Sequence, residues 1–256
     1  TGGDLIDLIV AMRGVTIGEA FKAAKTWLGI KSQRGGAAIK STSAIAGGGK
    51  VKKYRKLTRQ DAEALGIAAV RPGPVFDYLT IERGLSEETL LVYRMCERYK
   101  DSAAPSIVFL YLAPGRKPGI FEPTGFKFLS LERKDGKKQT WTLENCQPSL
   151  FGWQSIKSSD RHVVICEGEV DALSWHEYGY PSLSVPNGCG TGAKLAWVEY
   201  ELERLDQFEI IYLSFDNEEI PEDGTSEDVD KAAKKIHEVE ATLSELVSRL
   251  GRHRTR

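Results

Sequence analysis

From Arg161 onward the chain alternates strand, helix, strand, helix, strand, helix, and this order restricts the fold more than any other feature. The spacing predicts strands at 163–166, 182–185 and 209–215, and helices at 170–178, 193–205 and 227–249. Alternation of this kind implies parallel strands, because a parallel neighbour is reached only by a crossover connection such as a helix. The expectation is an α/β fold with a small doubly wound parallel sheet. Such sheets place their sites beyond the carboxyl ends of strands, and two of these strands end in acids. Val163-Val164-Ile165-Cys166 runs into Glu167-Gly168-Glu169-Val170-Asp171, and Ile210 to Phe215 runs into Asp216-Asn217-Glu218. Gly168 lets the backbone turn tightly, and Asp171 falls in the first turn of the next helix, where negative charge suits the helix dipole. Four carboxylates, Glu167, Asp171, Asp216 and Glu218, are thus expected around one crevice. Clustered like charges are unfavourable unless a cation neutralises them, and magnesium takes one or two carboxylates together with water and phosphate oxygens. The plainer alternative is that Glu167 and Asp171 cap a helix while Asp216 and Glu218 open an acidic loop.

Between the second strand and its helix lies Pro186-Asn187-Gly188-Cys189-Gly190-Thr191-Gly192, a glycine-rich loop entering a helix N-terminus. Backbone N–H groups in such a loop can face a phosphate, and an ordinary turn explains the pattern about as well. Gly47-Gly48-Gly49-Lys50 is not a P-loop. Val51 stands where Ser or Thr is required, no glycine has the upstream spacing, and no strand precedes it.

The chain's 256 residues, 41% of them hydrophobic, suffice for one large domain or two modest ones. No apolar run reaches membrane-spanning length. Thr1 is not an initiator Met and nothing reads as a targeting peptide, so the expectation is a piece of a longer protein. Cys96, Cys146, Cys166 and Cys189 are scattered without C-x-x-C spacing, which points to a reducing compartment and against a zinc site within this chain. A net charge of −1 conceals strong segregation. Lys50, Lys52, Lys53, Arg55, Lys56 and Arg59 cluster early, Lys127, Arg133, Lys134, Lys137 and Lys138 form a second group, and residues 199–230 hold thirteen acids against one base, Arg204. Local basic patches can hold a polyanion while a separate acidic patch holds cations.

Upstream, helical spacing covers 4–12 and 16–28, the latter with Thr16 as N-cap, and Gly, Ser, Ala and Lys enrichment from Lys31 marks a flexible linker. Thr58 is expected to cap a short helix ending at Leu65; helices at 76–83 and 86–93 follow. Strands at 107–112 and 126–131 have turn chemistry at Pro114-Gly115 and Asp135-Gly136. Lys127 alternates with apolar neighbours and is expected to project from the sheet face opposite the core.

The Glu167-Gly168-Glu169-Val170-Asp171-Ala172-Leu173 turn, the Asn187-Gly188 loop and the strand ending in Asp216-Asn217-Glu218 together resemble the TOPRIM domain shared by DnaG-type primases, topoisomerases and some nucleases. Tyr78-Leu79 with Glu82-Arg83-Gly84-Leu85-Ser86-Glu87-Glu88-Thr89 is similar to a signature in the N-terminal subdomain of primase polymerase cores, and Leu150-Phe151-Gly152-Trp153 to the step before their TOPRIM fold. Asp206 to Ile211 is particularly like the primase half of T-odd phage primase-helicases and their mitochondrial relative Twinkle. Gly2 to Leu28 resembles the helical end of a primase zinc-binding module just past its cysteines.

The resemblance implies four segments: 1–30 as the tail of the zinc module, 31–56 as linker, 57–158 as the α+β N-terminal subdomain, and 159–256 as the TOPRIM domain. It implies a primase core that joins ribonucleoside triphosphates into a short RNA primer on single-stranded DNA. Glu167 would be the catalytic residue, a metal-positioning acid or base, with Asp171, Asp216 and Glu218 contributing to magnesium or manganese binding. Lys127, Arg133, Lys134, Lys137, Lys138, Asn187 and Gly188 would meet nucleotide or template. Zinc would belong only to the upstream module, a replicative helicase domain would follow in the full-length chain, no membrane is involved, and the location would be cytoplasmic, or mitochondrial for a Twinkle-like protein. The family's second motif is Asp-x-Asp followed closely by Gly. Here it is Asp216-Asn217-Glu218, with glycine displaced to Gly224. Within the same superfamily, a DNA-cleaving nuclease or topoisomerase-like enzyme and a non-catalytic binding module are the alternatives.

Overall fold

The computed structural model describes residues 54–99, 104–115, 119–217, 219–221 and 223–256. The expected helices at 4–12 and 16–28, the linker up to Lys53, and Glu218 lie outside the described residues. The last part of the expected linker is not free chain. The Tyr54 hydroxyl hydrogen-bonds that of Tyr200 at 2.9 Å, and the Arg55 N–H donates to the Asn145 carbonyl at 2.8 Å.

The first half begins with α1 (Arg59–Ala64), whose Thr58 cap is reciprocal. Thr58 Oγ1 accepts from the Asp61 N–H, and the Asp61 carboxylate accepts from the Thr58 N–H. After β1 (Ile67–Ala69) comes α2 (Pro74–Asp77), which widens into a π turn over Tyr78–Glu82 where the spacing predicts one helix at 76–83. In α3 (Glu87–Val92) the Ser86 hydroxyl accepts from the Thr89 N–H. Then follow β2 (Cys96–Arg98), β3 (Ser106–Pro114), β4 (Phe121–Lys134) and β5 (Lys137–Thr142), and the five strands form one antiparallel sheet in sequence order. The β4–β5 hairpin turns at Asp135 and Gly136, both with positive φ (51° and 71°), the conformation favoured in tight hairpins.

The second half is the expected alternation. It contains β6 (His162–Cys166), α4 (Glu169–Glu177), β7 (Ser182–Ser184), α5 (Trp197–Leu205), β8 (Ile210–Ser214) and α6 (Ser226–Leu250). The three strands are parallel in the order β7-β6-β8, so β6 is central and delivers Glu167 to the middle of the sheet edge. Both faces are covered. Val163, Ile165 and Leu183 pack with Trp197, Val198, Leu205, Leu246 and Leu250 of α5 and α6, whereas Cys166 packs with Ala172 and Leu173 of α4 and with Phe109 and Tyr111 of the first sheet. The C-terminal residues run parallel to the outer edge of β8, with Ile211 N–H donating to the Arg254 carbonyl at 2.7 Å and Arg256 N–H to the Ile211 carbonyl at 3.0 Å. Among the described residues no helix is long and apolar enough to cross a membrane.

The Leu150-Phe151-Gly152-Trp153 step joins the two sheets, and its glycine is sterically required. Phe151 exchanges both backbone hydrogen bonds with Ser184, which presses the chain onto β7. A Cβ at Gly152 would stand 2.8 Å from the Ser182 carbonyl oxygen, and its φ of 108° already disfavours any side chain.

Candidate functional site

Three of the four expected acids are among the described residues, and the fold brings them to the carboxyl edge of the parallel sheet. Glu167 follows β6 directly, Asp171 lies in the first turn of α4, and Asp216 follows β8. Asp171 has both of the roles weighed from sequence. It caps its helix, accepting the Gly168 N–H at 3.1 Å, and it faces the other acids. Burial pushes its carboxyl above the usual range, Asp216 pushes it further, and Glu167 adds to this, while the Gly168 hydrogen bond and the Arg83 guanidinium oppose the rise. Asp171 and Asp216 line a crevice of about 230 Å³ together with Ser174, Trp175, Tyr178, Ser214 and Phe215. The Trp175 indole N–H donates to Ser214 Oγ at 3.2 Å and ties α4 to the end of β8.

The glycine-rich loop shapes the surroundings of Glu167. Cys189 Sγ donates to Glu167 Oε2 at 3.2 Å, and a Cβ on Gly188, whose φ is 63°, would approach Glu167 Oε1 to 3.2 Å. Gly188 therefore makes room for the carboxylate. Burial and the neighbouring Glu167 push the Cys189 thiol up to about 12, so it is an un-ionised hydrogen-bond donor at neutral pH. The expected phosphate cradle is partly used up within the fold. The Gly190 N–H donates to Thr242 Oγ1 at 2.7 Å and the Gly192 N–H to Glu245 Oε2 at 3.1 Å, both on α6. With the loop held against α6, the chain passes through a 3-10 turn (Gly192–Leu195) before α5 begins at Trp197, later than the 193 predicted. Asn187 stays exposed beside Pro186 on a smaller recess of about 110 Å³.

Lys127 leaves β4 on the face opposite Phe126 and Phe128, as the alternation predicts, but that face is not solvent. Its ammonium donates to Glu169 Oε1 at 2.7 Å and to the Pro186 carbonyl at 3.4 Å, and the Tyr111 hydroxyl donates to the same Glu169 oxygen. The Glu169 side chain is 7% exposed and that of Lys127 17%. Lys127 thus joins the antiparallel sheet to the acidic turn and neutralises Glu169, leaving Glu167, Asp171 and Asp216 as the acids facing the edge. Glu169 and Tyr111 were not singled out from the sequence. An acid at the first position of a helix reads as solvent-facing, and only the packing of the two sheets buries it.

The other basic residues sit at the tip of the β4–β5 hairpin. Arg133 pairs across the strands with Lys138 and Lys134 with Lys137, and all four are exposed. Like charges directly opposite one another destabilise a hairpin unless a polyanion screens them. The tip starts six residues beyond Lys127, about 20 Å along β4. Arg83, which acts on Asp171, belongs to the segment before α3, and that segment is fixed to α4: Glu177 Oε1 accepts from the Ser86 N–H at 2.6 Å and from Ser86 Oγ at 2.8 Å.

The raised Asp171 carboxyl has a pH consequence. Between its ordinary value of 3.8 and its higher native value, the folded state binds more protons than the unfolded state, so this group's contribution to stability falls as pH rises through that window. Asp171→Asn removes the charge while keeping an acceptor for the Gly168 N–H. Without divalent ions, the variant should melt at or above the parent temperature at neutral pH, with the difference narrowing as pH falls through the window; a variant that melts well below the parent at neutral pH would contradict the crowded-acid description.

No protein-family model matches the chain, and no curated protein matches its sequence. Among solved structures, the chain is similar to the primase fragment of the bacteriophage T7 primase-helicase protein, with 21% identity, a TM-score of 0.49, and 83% of this chain aligned to 72% of that one. It is also similar to a chain in the structure of bacteriophage T7 lagging-strand DNA polymerase interacting with primase domains of two gp4 subunits bound to an RNA/DNA hybrid and dTTP, with 24% identity, a TM-score of 0.41, and coverage of 62% and 72%. A third is the DnaG catalytic core, with 15% identity, a TM-score of 0.36, and coverage of 69% and 71%.

Proposed function

We propose that the chain is the catalytic core of a DNA primase with a TOPRIM domain, acting on single-stranded DNA and ribonucleoside triphosphates in the cytoplasm and working beside a helicase domain of the same full-length protein. The observation that carries the reading is the placing of Glu167, Asp171 and Asp216 at the carboxyl ends of two parallel strands, with Asp171 and Asp216 lining an open crevice where burial first, and then Asp216 and Glu167, raise the Asp171 carboxyl. Among the described residues, no three carboxylate, His or Cys side chains form a metal cage by themselves. Magnesium does not require such a cage, since it is usually held by one or two carboxylates and completed by water and substrate phosphates. Asp171 and Asp216, with Glu167 beside them and Glu218 as a further candidate, would hold the ion; manganese could replace it. When bound, the ion would offset the acids' repulsion and stabilise the attacking and leaving oxygens of phosphoryl transfer.

The chain's own groups have distinct tasks in this reading. Glu167, held by Cys189 and the Gly188 loop, positions charge at the centre of the sheet edge and is the candidate base for the 3′-hydroxyl proton. Lys127 is a positioning residue, because its ammonium is committed to Glu169 and Pro186. Arg83 brings a guanidinium close to the acids, where a triphosphate would sit. Arg133, Lys134, Lys137 and Lys138 attract the template backbone, a largely electrostatic and salt-dependent contact. The resemblance of Tyr78–Leu79 and Glu82–Thr89 to the polymerase-core signature favours primase over a nuclease, and Glu177 holds Ser86 of that segment to α4.

Template-dependent incorporation of labelled ribonucleotides in magnesium tests the reading. Products of a few nucleotides that require both template and metal are expected. Nicking of plasmid DNA with no such synthesis would assign the acids to cleavage instead.

A further inference from the structure

The face of the antiparallel sheet that turns away from Lys127 and the acids carries an aromatic stack at the base of the basic hairpin. Trp141 on β5 lies opposite Phe128 on β4, and their rings are parallel, 7° apart in plane with centroids at 5.2 Å. The Arg98 guanidinium lies 5.3 Å from the centroid of the Phe128 ring. Phe128 is buried at 2% exposure while Trp141 keeps 41%, so one indole face is packed and the remainder meets solvent. Side chains alternate along a strand, which places Lys137 and Gln139 on the same face as Trp141, with Lys134 paired opposite Lys137.

We propose that this face is a binding surface for single-stranded DNA in which a base stacks on the exposed side of Trp141 while the neighbouring phosphates run toward Lys137 and Lys134. Three observations carry it together. A large indole is held flat by an inner ring, so little conformational freedom remains to be lost on stacking. Two lysines on adjacent strands repel one another at the hairpin tip and are relieved by a polyanion. Finally, four residues along β5 separate Trp141 from Lys137, about 13 Å, a span that a few nucleotides of an extended strand cover. An aromatic face beside a basic track is the usual composition of a sequence-tolerant single-strand site. The surface extends the template-binding part of the proposed function and lies on the far face of the sheet from the acids. It concerns binding alone, so its failure leaves the nucleotidyl-transfer reading standing, and loss of synthesis leaves the surface standing.

The test compares a fluorescently labelled oligo-dT strand with an abasic strand of equal length, using the whole 256-residue chain. Trp141→Ala should weaken oligo-dT binding by about tenfold, within the range of a single base stack, and leave abasic binding unchanged. Lys134→Gln with Lys137→Gln should weaken both strands alike and reduce the salt slope by about 1.4. Independently of whether the alanine variant folds well, oligo-dT should quench part of the parent's tryptophan emission, the abasic strand should not, and Trp141→Phe should lose that quenching. Oligo-dT binding unaffected by Trp141→Ala, equal losses on both strands from a Trp141→Ala protein that melts like the parent, or quenching that persists in Trp141→Phe would each overturn the proposal.

Discussion

Replacing Glu167 with Gln and Asp216 with Asn together should lower template-dependent ribonucleotide incorporation at least about a thousandfold, equivalent to about 4 kcal/mol of lost transition-state stabilisation. The substitutions nearly conserve shape, so folding should survive. Glu167 accepts the Cys189 thiol through Oε2, and a glutamine amide oxygen at that position can accept the same bond. Asp216 is exposed. Removing two negative charges should also relieve Asp171, so the double variant should be no less stable than the parent without divalent ions. Inactivity and retained stability together are the signature, because a structural role for these acids would move both. Parent-level synthesis by the double variant would end the assignment of this crevice as the reaction centre.

The second large effect concerns Lys127. Among the described residues, Lys127→Met leaves the buried Glu169 carboxylate with only the Tyr111 hydroxyl donating to it, and breaking a buried pair from one side typically costs about 3–5 kcal/mol. The partial exposure of the Lys127 side chain favours the lower end of that range. Chemical denaturation measures it directly. Adding Glu169→Gln removes the stranded charge, so Lys127→Met with Glu169→Gln should recover most of the loss, and the two effects should be strongly non-additive. A fully additive pair would mean that Lys127 acts elsewhere. In a DNA-binding assay Lys127→Met should change the salt slope little, unlike substitutions at the hairpin tip, because its charge is already matched within the protein.

The parallel half of the fold was legible from sequence because its strands are short apolar runs separated by helical patterns, and because both faces of the sheet are covered. The acids were legible for a related reason: the end of a central strand is where the apolar run stops, so Glu167 and Asp216 stand out. The antiparallel half was less so. Ile67–Ala69 and Cys96–Arg98 are three-residue strands, too short for alternation to register, and Lys137–Thr142 is an exposed strand of mainly polar residues whose pairing comes from the Asp135-Gly136 turn. The π turn at Tyr78–Glu82 was hidden because its residues carry ordinary helical spacing. Contacts between distant segments were the least visible. Nothing local indicates that Lys127 meets Glu169 across 42 positions, or that Thr242 and Glu245 take up the N–H groups of Gly190 and Gly192.

The direct test of the acid site is divalent-ion binding, followed by the electron paramagnetic resonance signal of manganese titrated into the protein with a ribonucleoside triphosphate present. The parent should take up the ion in a nucleotide-dependent manner beyond what the free nucleotide binds, magnesium should compete for it, and the Glu167→Gln, Asp216→Asn double variant should lose that uptake. Equal uptake by the parent and the double variant would contradict the account.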